Sequence, residues 1–436
     1  MLCLLAAWLW FSSASWREGE FRAALRGGLL FASGSLLFAL IMASPASLRD
    51  PLLTGFAVLA AAFSVWILLS GRPQQTPTTQ NPVERVDERD VIFARFDLVE
   101  DSPRYRDYYL RRPEHQRVDD EIRRLPDLLS EPHFGKAQFL QALAAAEFAF
   151  LEDQLTGVDG PIDSRRDMND PAANTRLIKT MLDYLGADMY GICELDQDFV
   201  YTHVGRGPEP YGKPITLSHT YAVVLAVEMD LAMIATAPRP PVIVETGRQY
   251  VAAARIASIA AAALRRLGYP ARAHMAGSNY GAMLPPLAWK AGLGEIGRIG
   301  ILLSERFGPR IRLGLVTTDF PLLPDRPRAF GVQNFCRRCR KCARNCPAQA
   351  ISEGEQQAEN GVLRWVIERE ACYRYWRTVG SDCARCIFVC PYSKPDTKLH
   401  ALIRRGCARF SAFQRMAIGG DDLFYGRRPI SRPPPF

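Results

Sequence analysis

Three long uncharged stretches of mainly apolar residues open the chain, at positions 1–16, 27–48 and 51–71. A helix needs about 20 apolar residues to cross the hydrocarbon core of a bilayer, and the second and third stretches reach that length. The first stretch is shorter and is expected either to cross with help from the chain end or to lie in the interface. The pattern therefore predicts two or three transmembrane helices within residues 1–72. A cleaved signal peptide is the alternative for the first stretch, although that stretch lacks a basic start.

Arginine residues are unevenly distributed among the segments that flank these stretches. The first connecting segment holds three of them, the second holds only Arg49, and three more follow the third stretch. The six on the first and last segments are Arg17, Arg22, Arg26, Arg72, Arg85 and Arg89. Because basic residues are enriched in cytoplasmic loops, we expect a multi-pass protein of the cytoplasmic membrane, in contact with lipid, whose remaining residues face the cytoplasm.

Beyond a polar, proline-containing linker at residues 73–90, the pattern becomes that of a globular protein. The elements predicted in its most informative part are a strand at 242–244, a helix start at Thr246 and Gly247, a buried helix at 250–267, a strand at 271–276, a loop at 277–281, a helical turn at 284–290 and a buried strand at 312–317. Tyr250 would lie in the first turn of its helix, where the positive end of the helix dipole favours a phenolate.

Composition and charge narrow the class of protein only a little further. The 436 residues are 48% hydrophobic and 23% charged, which is typical of a globular protein and excludes a disordered one. The net charge of +8 is accompanied by no nucleic-acid-binding signature, so no nucleic-acid partner is expected.

Cysteine spacing is the strongest chemical signal in the sequence. Eight of the 11 cysteines lie between positions 336 and 390, in the patterns C-x2-C-x2-C-x3-C and C-x10-C-x2-C-x3-C, each followed by proline. This is the bacterial ferredoxin pattern with one widened gap, and in it the last cysteine of each run binds the other cluster. The pattern predicts two [4Fe-4S] clusters, one held by Cys336, Cys339, Cys342 and Cys390, and the other by Cys346, Cys372, Cys383 and Cys386. Zinc sites and disulfides are the alternatives, and both are less typical of this spacing.

Five basic residues surround the first run, namely Arg337, Arg338, Arg340, Lys341 and Arg344. They either dock an acidic electron donor such as ferredoxin or flavodoxin, or only offset the negative charge of the cluster.

A G-x-G-x-x-G match at 292–297 raises a nicotinamide site as an alternative, with Asp319 at a tolerable distance for a ribose contact. The segment before this match looks helical, however, whereas a dinucleotide fingerprint follows a strand.

Four motifs together give the chain a family resemblance. Gly-Leu-Gly-Glu at 292–295, Phe-Gly-Pro-Arg-Ile-Arg at 307–312, Thr-Asp at 318–319 and the two cysteine runs resemble the corrinoid-dependent reductive dehalogenases over about residues 90–400. The built-in apolar helices make the chain similar to a membrane-integral branch of that family. The resemblance implies N-terminal transmembrane helices, an α/β, nitroreductase-like corrinoid-binding core and a bacterial ferredoxin-like domain. It also implies a base-off cobalamin without a histidine from the protein as lower ligand.

Three residues take their roles from this resemblance. Tyr250 matches the proton-donating tyrosine, Arg312 the arginine beside it, and Asn279 a polar residue of the substrate pocket. Structural roles are the alternatives: a core tyrosine, a salt-bridge partner and a turn residue. Corrinoid contacts are implied for Gly292, Gly294, Glu295, Gly308 and Asn279.

The implied reaction replaces a halogen of an organohalide by hydrogen, with Co(I), two clusters and a tyrosine as proton donor; the donor of electrons would be ferredoxin, flavodoxin or a quinol. Two alternatives stay open, an epoxyqueuosine reductase-like enzyme acting on tRNA and a membrane iron–sulfur electron-transfer subunit.

The predicted domains are transmembrane helices at 1–72, a linker at 73–90, a catalytic domain at 91–325, a two-cluster domain at 326–400 and a C-terminal extension at 401–436.

Overall fold

The computed structural model describes residues 1–73, 83–130, 134–135, 137–276 and 280–434. The described α-helices are α1 Leu2–Arg17, α2 Phe21–Ala43, α3 Ala46–Leu69, α4 Ile92–Phe96, α5 Pro103–Arg111, α6 Pro113–Arg123, α7 Gln138–Asp153, α8 Pro171–Leu185, α9 Leu231–Ile234, α10 Pro241–Arg266, α11 Leu284–Lys290, α12 Val332–Cys339, α13 Lys341–Arg344, α14 Arg369–Val379, α15 Arg385–Phe388, α16 Lys398–Arg409 and α17 Ser411–Tyr425. The described strands are β1 Met189–Glu194, β2 Tyr221–Glu228, β3 Ala271–His274, β4 Glu295–Ile296, β5 Leu302–Leu303, β6 Ile311–Thr318, β7 Gln357–Glu359 and β8 Val362–Arg364.

The chain divides into two compact units. The first unit comprises residues 1–75, 330–339 and 394–430, and the second comprises residues 76–329, 340–393 and 431–436. These units do not follow the predicted boundaries at residues 325 and 400. The first cysteine run is divided between them, and the C-terminal helices share a unit with the N-terminal ones.

In the first unit, α1 and α2 form a closely packed helical hairpin. A Cβ atom at Gly27 would lie 2.8 Å from the Phe11 ring, so the close approach requires glycine there. Ala23 and Ala24 are buried, and the Ser12 hydroxyl donates a hydrogen bond to the Ala24 carbonyl at 2.7 Å. Small residues thus allow the two helix backbones to approach each other, as they do between helices in membranes.

Two helices of this unit are long and apolar enough to cross a membrane, α2 and α3, and nearly all of their residues lie on the surface of the described structure. The helix α1 has 16 residues and does not reach that length. The break between the two long helices falls at Ser44 and Pro45, inside the uncharged stretch at 27–48. The charged pair Arg49 and Asp50 therefore lies within the first turns of α3, not in a loop.

The C-terminal helices α16 and α17 complete the first unit. The Phe424 ring lies 4.6 Å from the Phe11 ring, centroid to centroid, and the amide of Gln414 donates to the carbonyls of Gly331 and Cys407 at 3.0 Å each. Residues 427–434 contain neither helix nor strand. The chain therefore closes this unit with two helices before its proline-rich end.

The core of the second unit is a four-stranded sheet in the order β1-β2-β6-β3, with every neighbouring pair antiparallel. Successive side chains of a strand point to opposite sides of a sheet. The inner strand β2 is therefore buried on both faces, because helices cover both sides of the sheet. One face packs against α7, α8 and α10, and the other against α11. The residues of β2 on the first face are Val223, Leu225 and Val227, and those on the second are Ala222, Val224 and Ala226.

The helix α10 differs from the prediction at its start. It begins at Pro241 and includes residues 242–244, so the predicted strand there is wrong, and Thr246 and Gly247 lie inside the helix. Proline at the first position starts a helix readily. A short apolar run by itself does not distinguish a buried strand from a segment of a buried helix. Tyr250 is consequently the tenth residue of the helix, too far along it to benefit from the dipole of the N-terminus. The predicted elements at 271–276, 284–290 and 312–317 correspond to β3, α11 and β6.

Candidate active site

Tyr250 and Arg312 face each other across the interface between α10 and β6. The guanidinium carbon of Arg312 lies 5.1 Å from the centroid of the Tyr250 ring. The Arg312 side chain is only 13% exposed. A cation at this distance over an aromatic face is attracted by the ring, and the attraction grows where water is excluded. The structure thus brings together the two residues that the resemblance paired.

Two residues that the sequence analysis missed complete the surroundings of Arg312. Its Nη2 donates to the Thr246 hydroxyl at 2.8 Å and to the Asp382 carboxylate oxygen Oδ2 at 3.1 Å. The Thr246 hydroxyl in turn donates to the same oxygen of Asp382. Thr246 precedes Tyr250 by four residues and so shares its helix face, which is a signal available in the sequence. Nothing in the spacing of residues points to Asp382.

Asp382 is a buried carboxylate, with a side chain that is 7% exposed. Burial raises the pKa of Asp382 to about 6, while Arg312 and the Thr246 hydroxyl act to lower it. The carboxyl group is therefore mainly ionised at neutral pH and provides the counter-charge that the buried Arg312 needs.

Tyr250 and Arg312 line a cavity of about 220 Å³ within the second unit. Two further tyrosines, Tyr201 and Tyr280, face it, and its remaining described lining is apolar, formed by Ala282, Leu284, Pro285, Ile301, Leu302, Ile311 and Leu313. Burial raises the pKa of Tyr201 to about 12 and that of Tyr280 well above its ordinary value. Both phenols therefore stay protonated and can donate hydrogen bonds. Asn279 lies outside the described residues, although its neighbour Tyr280 lines the cavity.

The glycine-rich motifs have packing roles in this structure. A Cβ atom at Gly294 would collide with the carbonyl of Leu303, and Gly292 has a positive φ of +80°. Glu295 is buried in β4. The match at 292–297 follows α11 and runs into β4, so it lacks the strand-then-helix context of a dinucleotide site. None of the predicted corrinoid contacts at 292, 294 and 295 is among the residues that line the cavity.

The motif at 307–312 joins the sheet to the end of the second cysteine run. Gly308 has a φ of +59°, and a Cβ atom there would lie 2.5 Å from the carbonyl group of Tyr392. Arg310 is fully buried, donates to the Ser393 carbonyl at 3.2 Å and pairs with Glu228 at 2.8 Å. Gly308 and Arg310 thus fix the turn after Cys390, and this turn carries the chain past the predicted cluster ligand.

Five cysteines of the two runs lie close to one another in the second unit, namely Cys342, Cys346, Cys372, Cys383 and Cys386. Burial raises the pKa of the Cys386 thiol well above its ordinary value, and four neighbouring thiols raise it further: Cys383, Cys372, Cys342 and Cys346. Burial likewise raises the pKa of Cys383 to about 12 and that of Cys372 to about 11, with Cys346 contributing to both. Cys346, Cys372, Cys383 and Cys386 are the four residues predicted to hold one cluster, and the structure brings them together.

Cys336 and Cys339 lie on α12 in the first unit, and both are buried. No cysteine in the described part of the chain forms a disulfide. Among the described residues, no three His, Cys, Asp or Glu side chains converge closely enough to hold a single metal ion. A tetrahedral zinc site needs its ligands about 2.0–2.3 Å from one ion.

Arg312 and the adjacent pair Ser381 and Asp382 have buried polar atoms without a hydrogen-bond partner among the described residues. They are Nε of Arg312, Oδ1 of Asp382 and the hydroxyl of Ser381. Buried polar atoms are nearly always paired in complete structures. Of these three residues only Arg312 lines the cavity, so its Nε is the atom with which a ligand in the cavity could pair.

Comparison with known proteins identifies the relatives of this chain. Residues 335–394 match the family model of the 4Fe-4S dicluster domain. A tetrachloroethene reductive dehalogenase of Desulfitobacterium hafniense is 34% identical over 304 residues, which cover 59% of this chain and 54% of that protein. An epoxyqueuosine reductase of Vibrio cholerae serotype O1 is 34% identical over 115 residues, which cover 25% of this chain and 30% of that protein.

The solved structure of the catabolic reductive dehalogenase NpRdhA has a TM-score of 0.67 and 28% identity, and the match covers 83% of this chain and 49% of that one. The chain thus spans about half the length of the dehalogenases that it matches. The resemblance inferred from the sequence is confirmed: over the part that it spans, this chain is related in sequence and fold to the reductive dehalogenases, which are oxidoreductases, and it carries a 4Fe-4S domain.

Proposed function

We propose that this protein is a reductive dehalogenase, which converts an organohalide, two electrons and a proton into the hydrogenated product and halide. The observation that carries the proposal is the Tyr250–Arg312 pair on the wall of a largely apolar cavity. Related proteins support it, and NpRdhA has been solved in complex with 3-bromo-4-hydroxybenzoic acid. A halogenated organic molecule suits the mixed lining of tyrosine and aliphatic side chains.

In this proposal Tyr250 donates its phenolic proton to the carbon that loses the halogen. Arg312 stabilises the phenolate that remains, because a guanidinium stays charged when buried and its charge faces the ring. The aliphatic lining excludes water, which strengthens the interaction between these charges. The role of Asn279 as a polar residue of the substrate pocket stays a prediction from the resemblance.

We place the corrinoid implied by the resemblance against this cavity. The unpaired Nε of Arg312, which lines the cavity, would donate a hydrogen bond to an amide carbonyl on the rim of the corrinoid. As the resemblance implies, the cofactor would be base-off and take no histidine from the protein as its lower ligand. When bound, the corrinoid supplies a reducible cobalt centre whose electrons break the carbon–halogen bond. The contacts predicted for Gly292, Gly294, Glu295 and Gly308 stay predictions, since none of these residues lines the cavity.

The eight cysteines would hold two [4Fe-4S] clusters in the predicted sets. The proximity of Cys346, Cys372, Cys383 and Cys386 supports the second set. The electron donor is then a ferredoxin, a flavodoxin or a quinol.

We further propose that α2 and α3 anchor the protein as a multi-pass protein of the cytoplasmic membrane, with the second unit in the cytoplasm.

The test is anaerobic reconstitution of the chain with cobalamin, iron and sulfide, followed by reduction and a panel of halogenated aromatic and alkenyl substrates. We expect halide release by the wild type. A Tyr250→Phe variant should retain cobalt and iron but lose at least about 100-fold in rate, which is the typical contribution of a positioned general acid. Reduction of an epoxyqueuosine tRNA stem-loop without halide release would instead favour the tRNA-modifying alternative. If the protein bound iron but no cobalt, this result would favour the alternative that it is an iron–sulfur electron carrier.

A further inference from the structure

A hydrogen-bonded triad connects Arg312 with the segment that precedes Cys383. Thr246 comes from α10, Arg312 from β6, and Asp382 from the loop between α14 and α15. All three lie in the second unit. Because Asp382 is bonded to Cys383 in the chain, this contact joins the catalytic pair to a predicted cluster ligand.

The geometry of the triad fixes one end of the guanidinium. Both of its contacts with other side chains use Nη2 of Arg312, at 2.8 Å from the Thr246 hydroxyl and 3.1 Å from Oδ2 of Asp382, and Nη1 donates to the Ile311 carbonyl at 3.5 Å. Thr246 also donates to that oxygen, so the three groups form a closed ring of hydrogen bonds. With the guanidinium held in this way, its carbon lies 5.1 Å from the centroid of the Tyr250 ring.

Charge and entropy both require such a support. A buried guanidinium without a counter-ion is strongly unfavourable, and Asp382 supplies that counter-ion in a site where both side chains are largely buried. The flexible arginine side chain also loses rotamer freedom when it is held at one place. A group that stabilises developing charge acts best when it is in place before the reaction.

We propose that Thr246 and Asp382 are positioning residues that hold Arg312 over the ring of Tyr250, so that the proton-donating pair is assembled only when the loop before Cys383 is correctly folded. This inference rests on the proposed function for its catalytic consequence. The positioning itself is independent of the substrate and is measured separately.

The variants are chosen to separate the hydroxyl of Thr246 from its shape. Thr246→Val keeps the shape and removes the hydrogen bond, whereas Thr246→Ser keeps the hydroxyl. Asp382→Asn removes the charge of the counter-ion. Because Asp382 is adjacent to the predicted cluster ligand Cys383, its replacement could also disturb the cluster, so Thr246→Val is the primary variant. Thr236→Val is the matched control, since Thr236 is a fully buried threonine whose hydroxyl donates to the Met233 carbonyl at 2.8 Å.

The first measurement uses no turnover. The holoprotein with 3-fluorotyrosine at position 250 is examined by fluorine NMR in its oxidised form, and Arg312→Met gives the resonance for a ring without the guanidinium. We expect Thr246→Val and Asp382→Asn to move the signal towards that position, and Thr246→Ser and Thr236→Val to leave it in place. An unmoved signal in Thr246→Val overturns the proposal.

The second measurement is halide release, with cobalt and iron determined in every variant. We expect Thr246→Val to keep both metals and to lower kcat by at least about 10-fold with KM within about 2-fold, as for an interaction used in the transition state. Thr246→Ser should retain most of the activity. A loss of rate that merely follows loss of cobalt or iron would overturn the proposal. Should the wild type release no halide from any substrate, the proposed function fails, and the fluorine signal still decides the positioning.

Discussion

At the scale of single residues, the proposed chemistry depends on one phenol and the groups that surround it. Tyr250 and Arg312 were identified through family motifs, and the structure places them 5.1 Å apart, ring centroid to guanidinium carbon. Thr246 and Asp382 were not predicted, because their role depends on a contact between α10, β6 and a loop more than 60 residues further along the chain. No periodicity within one element reports such a contact.

Cysteine ligands are also a property of single residues, and iron content tests their assignment. Replacing Cys383 by serine should leave the cluster of the other set intact, so we expect about four irons per chain in place of about eight. Cys193 is a buried thiol outside both runs, and Cys193→Ala serves as the control with unchanged iron. The proposed division into two sets would be contradicted if Cys383→Ser lost all of its iron or if it lost no iron.

Glu18 gives the first unit a pH-dependent contribution to its stability. Its carboxylate lies 3.0 Å from Nε2 of His400 and accepts a hydrogen bond from the Thr397 hydroxyl at 2.8 Å. Burial by itself would raise the pKa of Glu18, but these two partners outweigh it and lower the pKa below its ordinary value of 4.5. A carboxyl group with a lowered pKa in the folded state stabilises that state above 4.5, and the contribution is lost as the pH falls further.

We therefore expect Glu18→Gln to unfold at a temperature about 2–4 °C below that of the wild type at pH 7 in detergent. The difference should shrink as the pH is lowered through 4.5. Asp50→Asn is the control, since Asp50 forms an exposed ion pair with Arg49 and its loss should have little effect. A difference that grows on acidification would contradict the assignment.

At the scale of elements, local pattern predicted the helix α11 and the strand β6 but misjudged the start of α10. The apolar run at 242–244 is buried from several sides, so its residues show no helical periodicity. The consequence is chemical, because Tyr250 moves from the first turn of the helix to its third. Its environment is then determined by Arg312 rather than by the helix dipole.

The motif at 307–312 provides a prediction for the packing of elements. Gly308→Ala introduces a side chain at a positive φ and 2.5 Å from the Tyr392 carbonyl, so we expect a destabilisation of about 2 kcal/mol or more and reduced iron content. In α17, by contrast, a Cβ atom at Gly419 meets nothing within 4 Å. Gly419→Ala should be neutral or stabilise the protein by up to about 1 kcal/mol in thermal unfolding. Equal stability of the two variants would show that the contact with Tyr392 is unimportant.

At the scale of the whole molecule, the N-terminal helices raise the question of topology. Basic residues flank the pair α2 and α3, and the turn between them lies at Ser44 and Pro45. In the proposed topology, which follows the positive-inside rule, both outer ends of the pair lie in the cytoplasm. The second unit would consequently work in a reducing compartment, which suits oxygen-sensitive clusters and free cysteines.

Reporter fusions test this topology directly. Alkaline phosphatase, which is active only after export, should be inactive when fused after residue 72 and active when fused after residue 45. A fluorescent protein that folds in the cytoplasm should give the opposite pattern at the same two positions. Phosphatase activity at residue 72 would contradict the cytoplasmic placement of the second unit.

The sequence by itself determined the features that depend on local pattern. Apolar length indicated α2 and α3, cysteine spacing indicated the 4Fe-4S domain, and a set of short motifs indicated the relationship to reductive dehalogenases and, through it, the proposed roles of Tyr250 and Arg312. Each of these signals lies within a few residues of the chain or repeats at a fixed interval.

Only the tertiary structure decided which distant segments meet. It joined residues 1–75, 330–339 and 394–430 into one unit, assigned packing roles to the glycine motifs, and placed Asp382 against Arg312. Such contacts arise from the packing of side chains across elements that are far apart in the chain. Burial then gives them their strength, because charges and polar groups removed from water must find partners within the protein.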